Sequence, residues 1–254
     1  MNISEIYIYP VKSLGGISVS SSKVLDKGLE FDRRWMLVDK DGQFLSQREI
    51  PQMTLIQAEL NETALRLNRN GSFIEIDKYD QGKPTEVEVW SDRVKVYELN
   101  PVINEWLSDH LNHECRLVKM SEGRVSRTKM EKEVSFADGY PFLIIGEESL
   151  KFLNSKISKP IEMKNFRPNL VFSGGMPHDE DDWSNIKIGE IKFSVVKPCA
   201  RCVITTIDSE GKKNMEPLAT LNTYRNFNNK IMFGQNALSH GIGKIKIGDP
   251  IILE

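Results

Sequence analysis

The stretch LRLNRNGSFIEI, residues 65–76, contains two short segments in which apolar and polar side chains alternate. The pair Asn70-Gly71 lies between these segments. This pair is typical of the two-residue turn of a β-hairpin, because both residues adopt positive φ angles at little cost. The stretch therefore predicts two antiparallel strands joined by a tight turn.

The same strand, turn, strand pattern recurs on both sides of this hairpin. Residues 34–38 and 43–45 flank an Asp-Lys-Asp-Gly turn, and residues 87–89 and 94–96 flank a turn at 90–93. Ile6 and Ile8 alternate with tyrosines in a strand that Pro10 ends. Further strands are predicted at residues 169–172, 186–196, 202–207 and 244–253.

Helical periodicity is confined to three segments, which are residues 103–111, 147–157 and 217–224. Many short hairpins with few helices predict a mainly β protein built of β-barrel-like or sandwich-like modules, and not a parallel α/β sheet. A soft boundary follows the first helix. We therefore expect two domains, residues 1–114 and 115–254, with the first strand and its turn contributing to the functional site.

Composition excludes several classes of partner. The 254 residues carry 34 basic and 36 acidic side chains, a net charge of −2, so nothing predicts binding to nucleic acid or to an anionic membrane. No apolar run approaches the roughly 20 residues that span a bilayer, and the N-terminus reads as a strand instead of a signal peptide. Three cysteines do not predict a disulfide scaffold. We expect a cytoplasmic protein without a membrane partner.

Cys199 and Cys202 lie in VVKPCARCVITTID, residues 195–208. A structural zinc site needs about four ligands, and only one other cysteine is present. A thioredoxin-like redox pair would precede a helix, whereas β-branched residues follow Cys202. Packing of both thiols as small apolar groups stays open. Arg201, between them, favours the thiolate form of at least one sulfur, and a thiolate binds soft metals or acts as a nucleophile.

Separated basic residues offer sites for an anion. Lys12 and Ser13 precede Gly15-Gly16, which suits a phosphate, although a surface lysine at a strand end explains Lys12 equally. Arg33 follows Asp32 and can simply pair with it.

The stretch NFRPNLVF, residues 165–172, adds a further arginine. Pro168 predicts an extended Arg167 at a strand start or edge. Arg167 and Asn169 could face a pocket or form a buried salt bridge. One thiolate together with several cations suggests a ligand that is anionic at one end and bears a metal at the other.

With these residues in place, the sequence resembles proteins that have a MOSC domain preceded by an N-terminal β-barrel domain, and it is similar to the amidoxime-reducing components. The likeness covers nearly the whole chain. It rests on the ordered segments IYPVKSLGG, GLEFDRRWMLVD, FADGYPFLI, NFRPNLVFSG, DDWSNIKIGE, KPCARCVITTID, EPLATLNTYR, FGQNA and IKIGDPI.

The resemblance implies a molybdenum cofactor and a role for each matching residue. Cys202 would be the metal ligand and a catalytic residue, and Asp138 would donate a proton or orient the substrate. Ala200 replaces a serine of relatives, and Asn236 stands where some relatives have a tyrosine. The implied cofactor-binding residues are Lys12, Ser13, Arg33, Gly139, Tyr140, Arg167, Asn169, Ala200, Arg201 and Asn236.

The resemblance also implies an oxidoreductase that reduces small N-hydroxylated compounds such as amidoximes, hydroxylamines and N-hydroxylated bases. Pyridoxal phosphate is not expected. Some bacterial relatives carry a ferredoxin domain and the mitochondrial relatives a membrane anchor. Neither is found in this sequence, so we expect a separate electron-transfer protein or reductase as partner. The alternative is a sulfur (persulfide) or molybdenum-cofactor carrier without reductase activity.

Overall fold

The computed structural model describes residues 1–89, 92–121, 124–125 and 133–254. In these ranges the strands are β1 (Asn2–Ile8), β2 (Ile17–Val19), β3 (Ser21–Leu25), β4 (Gly28–Leu29), β5 (Trp35–Val38), β6 (Gln57–Leu60), β7 (Ala64–Arg69), β8 (Ser72–Asp77), β9 (Lys83–Val89), β10 (Asp92–Glu98), β11 (Arg116–Met120), β12 (Arg124–Val125), β13 (Glu133–Val134), β14 (Phe142–Gly146), β15 (Leu170–Ser173), β16 (Asn185–Ile188), β17 (Ile191–Ala200), β18 (Asn226–Phe227), β19 (Lys230–His240), β20 (Gly243–Lys246) and β21 (Ile251–Leu253).

The helices are α1 (Pro101–Leu111), α2 (Glu147–Asn154) and α3 (Leu218–Tyr224), and four 3₁₀ turns cover Pro51–Leu55, Met163–Phe166, Asp179–Asp182 and Val203–Thr206. The prediction of a mainly β protein with a few helices is confirmed. No helix in the described ranges is long and apolar enough to cross a membrane.

The hairpin that predicted the fold class is present. β7 and β8 pair in register from Ala64↔Asp77 to Arg69↔Ser72, and Asn70 and Gly71 have φ angles of 52° and 82°. Such a pair of positive φ angles is the geometry of a type I′ turn. β9 and β10 also pair as predicted, although residues 90 and 91 of their turn lie outside the described residues.

The largest sheet contains nine strands in the described part of the chain. Its order is β2-β1-β15-β14-β19-β17-β16-β21, with β18 added to β19. β14 and β15 run parallel, while the other pairs are antiparallel. Smaller sheets are β5-β11-β10-β9, β20-β3-β4, β6-β7-β8 and β12-β13.

Two of the four apolar clusters among the described residues are the largest. One surrounds Trp35 and Leu117 and draws mainly on β5 to β8, α1 and β11. The other surrounds Phe142 and Phe193, whose rings meet edge to face at 5.2 Å, and joins β1 to the C-terminal strands. The predicted division after residue 114 stays a prediction. β1 pairs with β15, and β3 pairs with β20, so N-terminal strands contribute to sheets that continue into the second half.

Two strand predictions away from the candidate site are wrong in detail. Residues 43–45 form two isolated bridges, from Phe44 to Val38 and from Gln43 to Glu88, instead of a full second strand. Residues 244–253 do not form one strand but split into β20 and β21, which belong to different sheets. Gly248, with φ 92°, lies in the turn between them, and a continuous strand cannot pass through that backbone conformation.

Candidate functional site

A cavity of about 1050 Å³ lies where the end of β17, the turn after β1 and the segment before β15 meet. Its volume is at the upper end of the range for small-molecule and cofactor sites. The twelve residues that the sequence predicted for the site all line it: Lys12, Ser13, Arg33, Asp138, Gly139, Tyr140, Arg167, Asn169, Ala200, Arg201, Cys202 and Asn236. Residues more than 150 positions apart are therefore brought together as expected, while the role of each stays a prediction.

Cys202 lies at the start of a 3₁₀ turn, and the expected strand over 202–207 is wrong. β17 ends at Ala200, Cys202 is extended with φ −130°, and Val203–Thr206 then turn. The threonine hydroxyls explain the difference, because Thr205 Oγ1 donates to the Cys202 carbonyl (3.0 Å) and Thr206 Oγ1 to the Val203 carbonyl (2.8 Å). Such local bonds compete with a sheet ladder. We call residues 200–206 the cysteine turn.

Arg201 contacts the other thiol. Its Nη1 donates to Cys199 Sγ at 3.0 Å, and its Nη2 donates to the Phe166 carbonyl. The Arg201 guanidinium, which we expected beside at least one of the two sulfurs, therefore contacts the Cys199 sulfur. The Arg201 Nε is buried and has no hydrogen-bond partner among the residues that the structure describes. A buried donor left without a partner costs about 1–3 kcal/mol, so this atom is suited to meet an acceptor on a bound group.

The opposite side of the cavity is built on the ring of Tyr9. The Arg33 and Arg167 guanidinium carbons lie 4.6 and 4.2 Å from its centre, within the range of cation–π contact. Asp32, fully buried, accepts from the Tyr9 amide at 2.8 Å and from Arg33 Nη1 at 2.5 Å. Asn169 Oδ1 accepts from the same Nη1 at 3.1 Å. We call these five residues the arginine wall.

Arg167 is not extended as Pro168 led us to expect. Its φ and ψ are 55° and 45°, which is left-handed, because it caps the 3₁₀ turn Met163–Phe166 and its amide donates to the Lys164 carbonyl. Tertiary contacts hold this conformation. Nη1 donates to the Leu14 carbonyl at 2.7 Å, and the Arg167 carbonyl accepts from Arg33.

Burial lowers the pKa of Arg167 to about 10, so the group stays protonated at neutral pH but is poorly solvated. In the described ranges no carboxylate lies within ion-pair distance of Arg167 or Arg201. The predicted alternative of a buried salt bridge at Arg167 is therefore not seen there. Two cations without carboxylate partners face one cavity, which is the arrangement that an anion would complete.

Lys12 closes the cavity from the N-terminal side. Its Nζ donates to the Phe136 carbonyl at 2.8 Å and pairs with the Asp138 carboxylate. Arg48 Nη2 lies 3.7 Å from Asp138 Oδ2. Burial would raise the pKa of Asp138, but Lys12, with help from Arg48 and Arg33, outweighs it and holds this pKa well below its usual range. Asp138 is thus ionised at neutral pH, which favours the orienting role over that of a proton donor.

Backbone strain also concentrates here. In the described residues, the side chains at positive φ other than Gly, Asn and His are Ser13, Phe31, Arg33 and Arg167. Three of these line the cavity. Such conformations cost about 1–3 kcal/mol each, and they persist where the surroundings enforce them, frequently at binding sites.

Two predicted residues act on the scaffold. Asn169 uses both ends of its amide, because Nδ2 donates to the Tyr7 carbonyl and Oδ1 also accepts from the Leu143 amide. Asn236 Nδ2 donates to the carbonyls of Lys197 and Pro198, where the β17–β19 register shifts. Both side chains hold the strands that carry the site.

The sequence did not single out Tyr9, Gln47 or Arg48. Gln47 is buried and its Nε2 donates to the Ser13 carbonyl at 2.8 Å, which braces the strained turn. Gly15 and Gly16, which the sequence suggested would let an anion approach the backbone, instead allow close packing in this turn. A Cβ on Gly16 would lie 2.3 Å from the Tyr9 ring, and both glycines line a separate cavity of about 440 Å³. The two alternating tyrosines of IYIYP, residues 6–10, were the sequence signal that could have pointed to Tyr9.

The donors present fit a group that is anionic at one end and binds a soft metal at the other. Cys202 offers a half-buried sulfur to the cavity. The buried Arg201 Nε, and the Arg167 guanidinium, which has no carboxylate partner in the described ranges, offer charge to an anion. The described residues contain no cluster of three or more His, Cys, Asp or Glu side chains able to hold a metal ion by themselves. A metal at Cys202 would need most of its ligands from the bound group.

Residues 1–114 match the family model of the MOSC N-terminal beta barrel domain, and residues 131–252 match that of the MOSC domain. The chain is 30% identical over 277 residues to the mitochondrial amidoxime reducing component 2 of Rattus norvegicus, which aligns 98% of this chain and 82% of that protein. It is 29% identical to mitochondrial amidoxime-reducing component 1 of Mus musculus, with 99% and 82% aligned.

The chain is also 30% identical to the molybdenum cofactor sulfurase of Oryza sativa subsp. japonica, covering 92% of this chain but only 32% of that protein. It therefore spans about a third of the length of this relative. Among solved structures, YiiM from Geobacillus stearothermophilus aligns with 45% of this chain and 54% of its own at 18% identity. The TM-score of 0.35 is too low to carry an argument.

Proposed function

We propose that this chain is a molybdenum-cofactor-dependent reductase of N-hydroxylated compounds. The premise is that the chain belongs to the family of MOSC-domain proteins that includes the mitochondrial amidoxime-reducing components. We further propose that residues 1–114 and 115–254 are its two domains. One observation carries the proposal: a half-buried thiol and two guanidiniums without carboxylate partners in the described chain converge on one cavity.

Each side of the cavity has its own task in this proposal. Cys202 supplies the protein's sulfur ligand to the metal, while Lys12, Ser13, Arg33, Arg167 and Arg201 hold the pterin and its phosphate. When bound, the cofactor supplies two-electron redox chemistry at a metal with an open position. The arginine wall presents fixed positive charge in a partly dry cavity, where it binds a phosphate more strongly than it would in water.

Asp138 has the role of an orienting group. Its carboxylate stays ionised beside Lys12 and Arg48, so it can accept a hydrogen bond from the N–H or O–H of a substrate. Reduction of an N–OH group consumes two electrons and two protons, breaks the N–O bond and releases water. With Asp138 ionised, these protons come from solvent or from another donor. The electrons come from a separate electron-transfer protein.

The test compares Cys202→Ser with Cys199→Ser. We expect the Cys202 variant to lose bound molybdenum by roughly tenfold or more, because a serine oxygen is a poor ligand for a soft site. The Cys199 variant retains an acceptor for Arg201 and keeps its metal. Molybdenum and pterin are measured on purified protein, and turnover of an amidoxime is followed with reduced methyl viologen. Equal metal content in both variants would overturn the ligand assignment.

The match to a molybdenum cofactor sulfurase supports a second candidate, in which Cys202 carries a persulfide or the protein carries the cofactor without reducing a substrate. Intact mass after gentle purification distinguishes the two. One additional sulfur that a thiol reductant removes supports the carrier. Stoichiometric molybdenum with viologen-driven reduction of an amidoxime supports the reductase.

A further inference from the structure

The charge of the cavity differs from that of the whole chain. The protein carries a net charge of −2. Among the described residues that line the cavity, seven are lysine or arginine and two are aspartate. A cleft lined by one sign of charge concentrates the field at its opening and raises the rate at which oppositely charged partners associate.

Five of the seven lining cations fall into two groups by exposure, and Arg48 and Arg201 are intermediate. Lys12, Arg33 and Arg167 lie deep and are held by carbonyls, carboxylates or the Tyr9 ring. Lys197 and Lys230 are exposed, and neither forms an ion pair with any residue in the described ranges. The proposed phosphate site does not use these two lysines.

Both exposed lysines flank the cysteine turn. Lys197 lies on β17, three residues before Ala200, and its Nζ is held 4.9 Å from the centre of the Tyr140 ring. Lys230 begins β19, and the carbonyl of the next residue, Ile231, accepts the Arg201 amide at 2.7 Å. Both lysines therefore line the cavity on strands next to the cysteine turn.

Apolar side chains share this opening. Met232 and Ile204 line the cavity and are partly exposed. Phe227 does not line it, but it pairs with Lys230 across the β18–β19 hairpin and is 51% exposed. Partly exposed apolar groups edged by charge are the usual make-up of a surface that binds another protein transiently. We call Tyr140, Lys197, Phe227, Lys230 and Met232 the mouth.

We propose that the mouth docks an acidic electron-transfer protein directly over Cys202. The inference rests on the proposed function and names the kind of partner that serves it. Each docked, reduced carrier gives up one electron and leaves oxidised. Two such visits, with two protons from solvent, balance the conversion of one N–OH group to N–H and water.

Charge magnitudes favour a protein over a small anionic substrate. One exposed lysine attracts a single unit charge in water by only about 1 kcal/mol at 4 Å. An acidic protein presents many charges at once, and their summed attraction steers encounter and fixes orientation. The mouth is therefore suited to a partner with an extended acidic surface.

The test uses Lys197→Glu/Lys230→Glu in the full, metal-loaded chain. The control is Lys244→Glu/Lys246→Glu, which gives the same net charge from exposed lysines of β20 that do not line the cavity. The acidic carrier is a plant-type [2Fe–2S] ferredoxin, and reduced methyl viologen is the small donor. Turnover of an amidoxime is measured with each donor, and calorimetry measures binding of oxidised ferredoxin.

We expect the KM for ferredoxin to be roughly tenfold higher or more in the mouth variant, and the affinity for ferredoxin measured by calorimetry to fall by a similar factor. The dependence of kcat/KM on salt concentration should be lost. Viologen-driven turnover and the KM for the amidoxime stay within about twofold, and the control variant behaves as wild type. Unchanged ferredoxin binding, or a raised amidoxime KM with both donors, overturns the proposal. A failure of the proposed function would give a different result from either of these outcomes. The wild-type protein would then not reduce the amidoxime with methyl viologen as donor, while calorimetry would still detect binding of ferredoxin.

Discussion

The arginine wall and the cysteine turn face each other across one cavity but are stabilised in different ways. The wall joins β1, the residues before β5 and the residues before β15 through buried, charge-assisted hydrogen bonds and a shared aromatic ring. The turn is held by threonine hydroxyls that bond carbonyls three residues back. Long-range side-chain contacts fix the wall, whereas the cysteine turn combines these local bonds with contacts of Arg201 to the carbonyls of Ile231 and Phe166.

This difference predicts that substitutions in the wall cost far more stability than substitutions in the turn. The largest effect is expected for Asp32→Ala, which leaves Arg33 buried without its carboxylate and the Tyr9 amide without its acceptor. Breaking a buried pair in this way costs about 3–5 kcal/mol. Chemical denaturation at pH 7 measures the free energy of unfolding.

The matched control is Asp41→Ala, because Asp41 pairs with Lys40 at the exposed surface, where such a pair contributes about 0–1 kcal/mol. If Asp32→Ala does not fold, Asp32→Asn keeps an acceptor for Tyr9 and is expected to lose an intermediate amount. Equal costs for Asp32→Ala and Asp41→Ala would remove the distinction between the wall and an ordinary surface pair.

The second effect concerns the ring on which the wall is built. In Gly16→Ala the new methyl group would lie 2.3 Å from the Tyr9 ring, so ring or backbone must shift. Overpacking of this kind costs about 1–3 kcal/mol. Gly139→Ala is the control, since its Cβ would meet no atom of the described residues within 4 Å and its φ lies outside the left-handed region. Thermal unfolding of both variants should separate them; matching melting temperatures would contradict the close packing.

A smaller effect is expected in the turn. Thr205→Val removes the hydroxyl that donates to the Cys202 carbonyl, but that carbonyl still accepts the Thr205 amide at 3.1 Å. The loss should be about 1 kcal/mol, the net contribution of one hydrogen bond. A cost above that of Gly16→Ala, measured by the same denaturation, would reverse the ranking of the two sides.

The smallest effect depends on pH and concerns Asp138. Because its pKa is lower in the folded than in the unfolded chain, its ionised form stabilises the fold above about pH 4, and that contribution is lost as pH falls through the lower folded pKa. The side chain is 54% exposed, so screening limits the effect to about 1 kcal/mol or less. The gap in unfolding free energy between wild type and Asp138→Asn should shrink below pH 4; a gap that widens there would contradict the sign.

Local signals predicted the parts of the fold that local physics determines. Asn70-Gly71 and the alternation around it predicted a hairpin, and Pro101 marked the start of α1. The turn at Cys202 was missed because side-chain bonds from two threonines outweigh the preference of β-branched residues for strands. Arg167 was placed in the wrong conformation because its backbone is set by contacts with residues more than 130 positions away.

The site residues came mainly from family resemblance, which cannot show how each side chain is used. Arg33 alone gave no sign that it would share the ring of Tyr9 with Arg167, and Gln47 had no sequence pattern at all. Contacts between distant segments determine these roles, so only the folded chain reveals them.

The pairing of β1 with β15 has a consequence for biosynthesis. Ile6 lies opposite Leu170, so β1 must wait for a partner that the ribosome makes more than 160 residues later. Contacts of such high sequence separation slow folding, because a long loop must close before they form. We expect the cavity to take shape only after the segment that carries Asn236 has been made, so cofactor insertion follows the pairing of these distant strands.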